Sequence, residues 1–165
     1  MFIRFITTGG TIDKIYFDAL SQFEVGDSVV KHILTDGLVE CEYDITPLLQ
    51  KDSLEMTVED RKQLHELIAG DDSTRFVITH GTDTMPQTAD ALADLSGKTI
   101  VLTGALTPAR FRTTDAVFNV GMAVAAAQVC EPGVYIAMNG QVFPAGGVCK
   151  NREENRFEKL PTDRN

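Results

Sequence analysis

The feature that most limits what this chain can fold into is a regular alternation. Short runs rich in β-branched and aromatic residues are separated by stretches with helical spacing. Parallel neighbouring strands need a crossover between them, so this order predicts an α/β domain with a largely parallel sheet. The strands are expected at residues 2–7, 40–46, 75–79, 99–103 and 134–138. Between them, residues 57–69 open on Thr57-Val58-Glu59-Asp60, a variant of the capping box. They carry Val58, Leu64, Leu67 and Ile68 on one face and stop at Gly70. A second helix, 85–95, has Pro86 in its first turn, an apolar side of Ala89, Leu92 and Ala93, and a Ser96-Gly97 stop.

The third helix, 113–129, differs in kind. Val117, Val120 and Val124 form one stripe, while Phe118, Met122, Ala125 and Val129 form another. A helix apolar on two sides is buried on two sides. A second copy of the chain supplies that burial most simply, giving a homo-oligomer, dimer or tetramer; a central core helix is the other solution. Residues 9–26 have little period and read as a long loop, the kind that often serves as an active-site flap. Residues 139–156 read as a hairpin around Phe143-Pro144-Ala145-Gly146-Gly147 followed by a charged tail.

With 165 residues, 43% of them apolar and 24% charged, the chain has enough material for one core, and a single domain over residues 1–165 is expected. Its 15 basic against 24 acidic residues give a net charge of −9, which opposes nucleic acid and anionic membrane surfaces as partners. No apolar run approaches the roughly 18 residues of a membrane span, and the N-terminus reads as a strand rather than a leader. Cys41, Cys130 and Cys149 are odd in number and share no metal-site spacing, which suits reduced thiols in a cytoplasmic protein.

Chemistry concentrates in two turns. The first strand runs into Thr7-Thr8-Gly9-Gly10-Thr11-Ile12, where paired glycines let the backbone turn sharply and approach a ligand closely. Alone, this reads first as a tight turn with no ligand. The strand at 75–79 runs into His80-Gly81-Thr82-Asp83-Thr84-Met85 and then a helix, the place where open α/β sheets bind small ligands. Alone, that is equally a helix cap, and His80 reads as a structural hydrogen-bonder.

Together the two motifs, about seventy residues apart, resemble the signatures of the bacterial-type asparaginase/glutaminase family. So do Asp52-Ser53-Leu54-Glu55-Met56-Thr57, Thr103-Gly104-Ala105, and Lys150 after the late hairpin. The resemblance implies a three-layer, flavodoxin-like fold: a mixed, mostly parallel sheet with helices on both faces, equivalent to the N-terminal asparaginase domain. It implies hydrolysis of L-asparagine to aspartate and ammonia through an acyl-enzyme, with no metal or organic cofactor. By position, Thr11 matches the nucleophile and Tyr16 the flap tyrosine that takes its proton. Thr82, Asp83 and Lys150 match a second hydroxyl–acid–amine triad. Asp83 also matches the acid that holds the substrate ammonium, and Ser53 the group that meets its carboxylate. Gly10 and Gly81 belong to the turns that bring backbone donors to the reacting groups, and N–H groups around Gly10 and Thr82 are the expected oxyanion donors.

The sequence also departs from the family. Ordinary members carry a C-terminal domain that lends an acidic residue to a neighbouring active site; this sequence ends near where the linker would start, and no position matches that acid. Leu54 stands where a polar residue is frequent, and Tyr16 follows Thr11 by only five positions. Two other functions fit the same residues: a non-catalytic module that binds aspartate or asparagine, and an asparaginase-like component of an amidotransferase.

Overall fold

Strands covered on both faces must be apolar at odd and even positions alike, so they read as continuous rather than alternating runs. Three runs have that character: β1 (Phe2–Gly9), β5 (Arg75–Thr79) and β6 (Thr99–Thr103), which are buried along almost their whole length. The computed structural model describes residues 1–17 and 22–160, with the backbone alone at Tyr16, Phe17 and Gln22. With β4 (Glu42–Lys51), β7 (Gly133–Met138) and β8 (Gln141–Pro144), these strands form a six-stranded sheet in the order β4-β1-β5-β6-β7-β8. All neighbours are parallel except β7 and β8.

The period of two sorts side chains into two cores. Ile3, Phe5, Val77 and Val101 pack on one face under α1 (Val30–Asp36) and α4 (Ala116–Val129). Ile6, Phe76, Ile78 and Leu102 pack on the other under α2 (Val58–Ala69) and α3 (Met85–Ala91). This is the expected three-layer arrangement with helices on both faces. Its consequence for chemistry is positional. β1 and β5 are adjacent and parallel, with Thr7 opposite Thr79, so the turns that follow them leave the same edge of the sheet side by side. The Thr8 hydroxyl donates to the Thr79 carbonyl at 2.9 Å and ties the two strand ends together.

Several expectations are corrected. Residues 9–26 are not simply a loop: a 3₁₀ turn (Thr11–Asp13) leads into β2 (Lys14–Phe17), which pairs antiparallel with β3 (Gln22–Val25). Phe23 and Glu24, successive residues of β3 that point to opposite faces, are both exposed, so neither position marks a buried face. The region 139–156 is not one hairpin. β8 turns back onto β7 through Asn139 and Gly140, both at positive φ, a two-residue turn suited to hairpins. β9 (Val148–Asn151) pairs instead with β10 (Arg156–Lys159), so residues 152–155, three of them charged, are the turn of a second hairpin.

Helix α3 ends at Ala91, earlier than expected, and Ala93 is exposed. On α2 the capping box forms as read, with the Thr57 hydroxyl accepting from the Asp60 N–H, but Val58 lies 76% exposed. On α4, Val120 and Val124 are buried while Val117, Phe118 and Val129 are exposed, so in the single chain only one side is covered. That excludes the central core helix.

Candidate active site

Two glycines bring the site together. Gly10 has φ 91°, and a Cβ placed there would lie 2.4 Å from the Gly81 nitrogen. A Cβ on Gly81 would in turn lie 2.6 Å from the Ser53 side chain. Only hydrogen fits at either position, so the turn after β1, the turn after β5 and the 3₁₀ turn Ser53–Glu55 pack as three layers of backbone. Thr11, Thr82 and Ser53 are thereby carried into one neighbourhood at the carboxyl edge of the sheet.

On the β5 turn, Lys150 reaches over from β9. Its Nζ donates to Thr82 Oγ1 at 2.8 Å and to Asp83 Oδ1 at 3.0 Å, with the lysine side chain 11% exposed. Thr82 is buried and Asp83 is half-buried. Sequence reasoning missed Arg152, whose Nε lies 3.7 Å from the same Asp83 oxygen. Because it sits among charged residues read as a tail, nothing in its local pattern set it apart. A cavity of about 340 Å³ adjoins this group, lined by Asp83, Gln87, Asp90, Lys150 and Arg152 among others.

The turn after β1 is held more loosely. Thr11 is half-buried, and no described residue exchanges a hydrogen bond with its hydroxyl. The side chain of Tyr16 lies outside the described residues; its backbone is in β2, opposite Phe23. The Gly10 N–H itself is engaged, donating to the Lys51 carbonyl at 2.9 Å. Among the described residues the N–H groups of Thr11 and Thr82 have no such partner and remain available. Ser53 is 1% exposed, and its hydroxyl has no hydrogen-bond partner among the described residues, an orphan polar atom at the point where the three turns meet. Leu54 beside it is 65% exposed and contributes no polar group.

The surroundings are electrostatically biased. Burial by itself would raise the Asp52 carboxyl, but the Lys14 ammonium at 2.7 Å, the Leu54 N–H and the field of Lys150 outweigh it and hold it below the usual carboxylate range. Lys14 belongs to β2, so this ion pair ties the β2–β3 ribbon to the Ser53 turn. Desolvation pushes Asp13 up to about 6; only the Val29 N–H, the Ser28 hydroxyl and the field of Arg110 act against it. His80 is driven down to about 4 by complete burial, and its ring is neutral near pH 7. Its Nδ1 sits 2.6 Å from the Gly81 carbonyl, which can only accept, so the proton is on Nδ1 and the ring is a structural donor. Among the described residues no group of three or more His, Cys, Asp or Glu side chains is placed to hold a metal.

An open α/β sheet that gathers hydroxyls, a lysine and a carboxylate at its carboxyl edge limits the class of protein this can be. The comparison with known proteins narrows it further: the asparaginase N-terminal domain family matches residues 2–159, and the chain belongs to that family. It is 44% identical over 81 residues to a probable periplasmic L-asparaginase of Haemophilus influenzae, covering 46% of this chain and 23% of that protein. It is 39% identical over 91 residues to a glutamyl-tRNA(Gln) amidotransferase component of Methanococcus vannielii, covering 54% of this chain and 21% of that one. The thermostable L-asparaginase of Thermococcus kodakarensis superposes with a TM-score of 0.83 at 25% identity, over 98% of this chain and 52% of that structure. The chain therefore spans about half the length of that structure.

Proposed function

We propose that this domain hydrolyses the side-chain amide of a free amino acid, L-asparagine, through a threonine ester. The observation that carries the reading is the lysine held at 2.8 Å from Thr82 Oγ1 and 3.0 Å from Asp83 Oδ1, beside the Gly10–Gly81 contact that brings Thr11 alongside. Thr11 Oγ attacks the amide carbonyl while its proton passes to Tyr16 and on to the departing nitrogen, which leaves as ammonia. Water then adds to the aspartyl ester, its proton returns to Thr11, and aspartate is released. The unpartnered N–H groups of Thr11 and Thr82 face the developing oxyanion, each such donor being worth about 3 kcal/mol in enzymes that use them. Asp83 takes the substrate ammonium and the orphan Ser53 hydroxyl takes its carboxylate, so that neither charge is buried alone.

The reading places the protein in the cytoplasm as a homo-oligomer, with the exposed Val117, Phe118 and Val129 of α4 covered by a second copy. Among the described residues no helix is long and apolar enough to cross a membrane. Similarity to an amidotransferase component favours a second reading, in which the ammonia is passed to another enzyme. Ammonia release from L-asparagine by the purified chain, beside Thr11→Val and Thr82→Val, tests both. Turnover by the chain alone, lost in Thr11→Val, is expected. An inactive parent that still binds aspartate would replace hydrolysis by binding, and turnover only with a partner enzyme would favour the transfer role.

A further inference from the structure

Behind the candidate site lies a hub that the proposed chemistry does not use. Arg61, in the first turn of α2, directs its whole guanidinium into two strips of backbone. Nη1 donates to the carbonyls of Met56 and Thr57, each at 3.1 Å. Nε donates to Thr88 Oγ1 and Nη2 to Thr84 Oγ1, each at 3.0 Å, so one edge of the fork engages two hydroxyls a single helical turn apart.

Each hydroxyl passes the contact on. Thr84 donates to the Ser53 carbonyl at 2.7 Å, which fixes the turn carrying the orphan Ser53 hydroxyl. Thr88 Oγ1 lies 2.9 Å from His80 Nε2 and 3.3 Å from the Thr84 carbonyl. Because His80 carries its proton on Nδ1, Nε2 is an acceptor, and the Thr88 proton goes to it. The ring then donates to the Gly81 carbonyl, the residue wedged between Gly10 and Ser53 and directly before Thr82. With Arg61 occupying the acceptor side of both hydroxyls, their protons are aimed in one direction only.

We propose that Arg61 is a positioning residue that sets the two halves of the site through two separate hydroxyl bridges: Thr84 to the Ser53 turn, and Thr88 through His80 to the Gly81-Thr82 turn. The inference rests on the hydrolase reading above and deepens it. The two arms serve different steps. The Ser53 arm governs the grip on substrate; the His80 arm governs the placement of Thr82, and with it the reaction. A lysine cannot replace the fork, since a point charge on a flexible stem does not hold two hydroxyls and two carbonyls in fixed directions.

The test is steady-state hydrolysis of L-asparagine by Arg61→Lys, Thr84→Val, Thr88→Val and the conservative Thr84→Ser and Thr88→Ser, each with its Tm. Thr84→Val is expected to raise KM by about tenfold with kcat within about threefold, a tenfold change being about 1.4 kcal/mol, the upper end for one lost hydrogen bond. Thr88→Val is expected to lower kcat by about tenfold with KM within about threefold, and Arg61→Lys to show both losses. The serine variants restore parent values. If Arg61→Lys does not fold, the valine and serine pairs carry the test alone. Valine variants that lose Tm while keeping parent kcat and KM would reduce the hub to a structural role and overturn the proposal. A parent without turnover overturns the hydrolase reading and this inference with it, whereas an active parent with indifferent variants overturns only the inference.

Discussion

The turns after β1 and β5 lie against each other but are held very differently. In the β5 turn almost every polar group is committed: His80 is bonded at both ring nitrogens, Thr82 and Asp83 to Lys150, and Thr84 to Ser53 and Arg61. In the β1 turn the Thr11 hydroxyl has no described partner, and Asp13 is buried with Oδ2 unsatisfied. The contrast matches what each turn is asked to do in the proposed reaction. A nucleophile must leave its hydrogen bonds to make a covalent one, so few bonds to break suits it. Groups that stabilise charge act through being fixed beforehand.

Removing one group from each turn gives the sharpest separation. Thr11→Val should lower kcat/KM for asparagine by about 10⁴-fold, the loss typical of a nucleophile. Its stability should stay within about 0.5 kcal/mol of the parent, because no hydrogen bond is lost. Lys150→Met should lower kcat/KM by about 10²–10³-fold. It should also cost about 1–3 kcal/mol of stability, because Thr82 and Asp83 lose a charged donor. Urea unfolding of both variants beside the kinetics checks the split. Equal stability losses would erase the distinction between the turns.

The same contrast explains what could be read from sequence. The β5 turn was legible because it lies between two regular elements, the strand Arg75–Thr79 and the helix Met85–Ala91, although its partners Ser53 and Lys150 are distant in sequence. The region after β1 was not, because its order is tertiary. At the start of helix α1 the Ser28 hydroxyl accepts from the Val30 N–H, but the Val29 N–H donates to Asp13, sixteen residues earlier. The β2–β3 ribbon is joined to the body through Lys14 and Asp52, a pairing no periodicity reveals. Arg61 carries no signal in the sequence, since two of its four acceptors are the hydroxyls of Thr84 and Thr88, 23 and 27 residues away. The turn at Asn139-Gly140 did carry a signal, an Asn-Gly pair of the sort that starts hairpins, and it outweighs the glycines at 146 and 147.

The smallest effect concerns acid, and here the two turns oppose each other. Asp13 is raised from 3.8 to about 6, so the folded state binds a proton that the unfolded state releases across that interval. Stability is therefore lost as pH rises from about 4 to 6, by up to about 3 kcal/mol. His80 is lowered from 6.5 to about 4, so the folded ring stays neutral while the unfolded one charges. Its share is fully present above 6.5 and is lost as pH falls toward 4, again by about 3 kcal/mol. The contributions nearly cancel within one window, and the parent should show an almost flat stability profile from pH 7 to 4. Asp52, Asp60 and Asp71, all held below 3.8, lose their shares only in stronger acid. Asp13→Asn keeps an acceptor for the Val29 N–H and removes the buried charge, leaving His80 unopposed. Urea titrations at intervals across that range should then find a variant that is more acid-labile than its parent, by about 2–3 kcal/mol between pH 6.5 and 4. An equally flat profile in Asp13→Asn would mean that the carboxyl in the β1 turn carries no such strain, and that the two turns differ in hydrogen bonding alone.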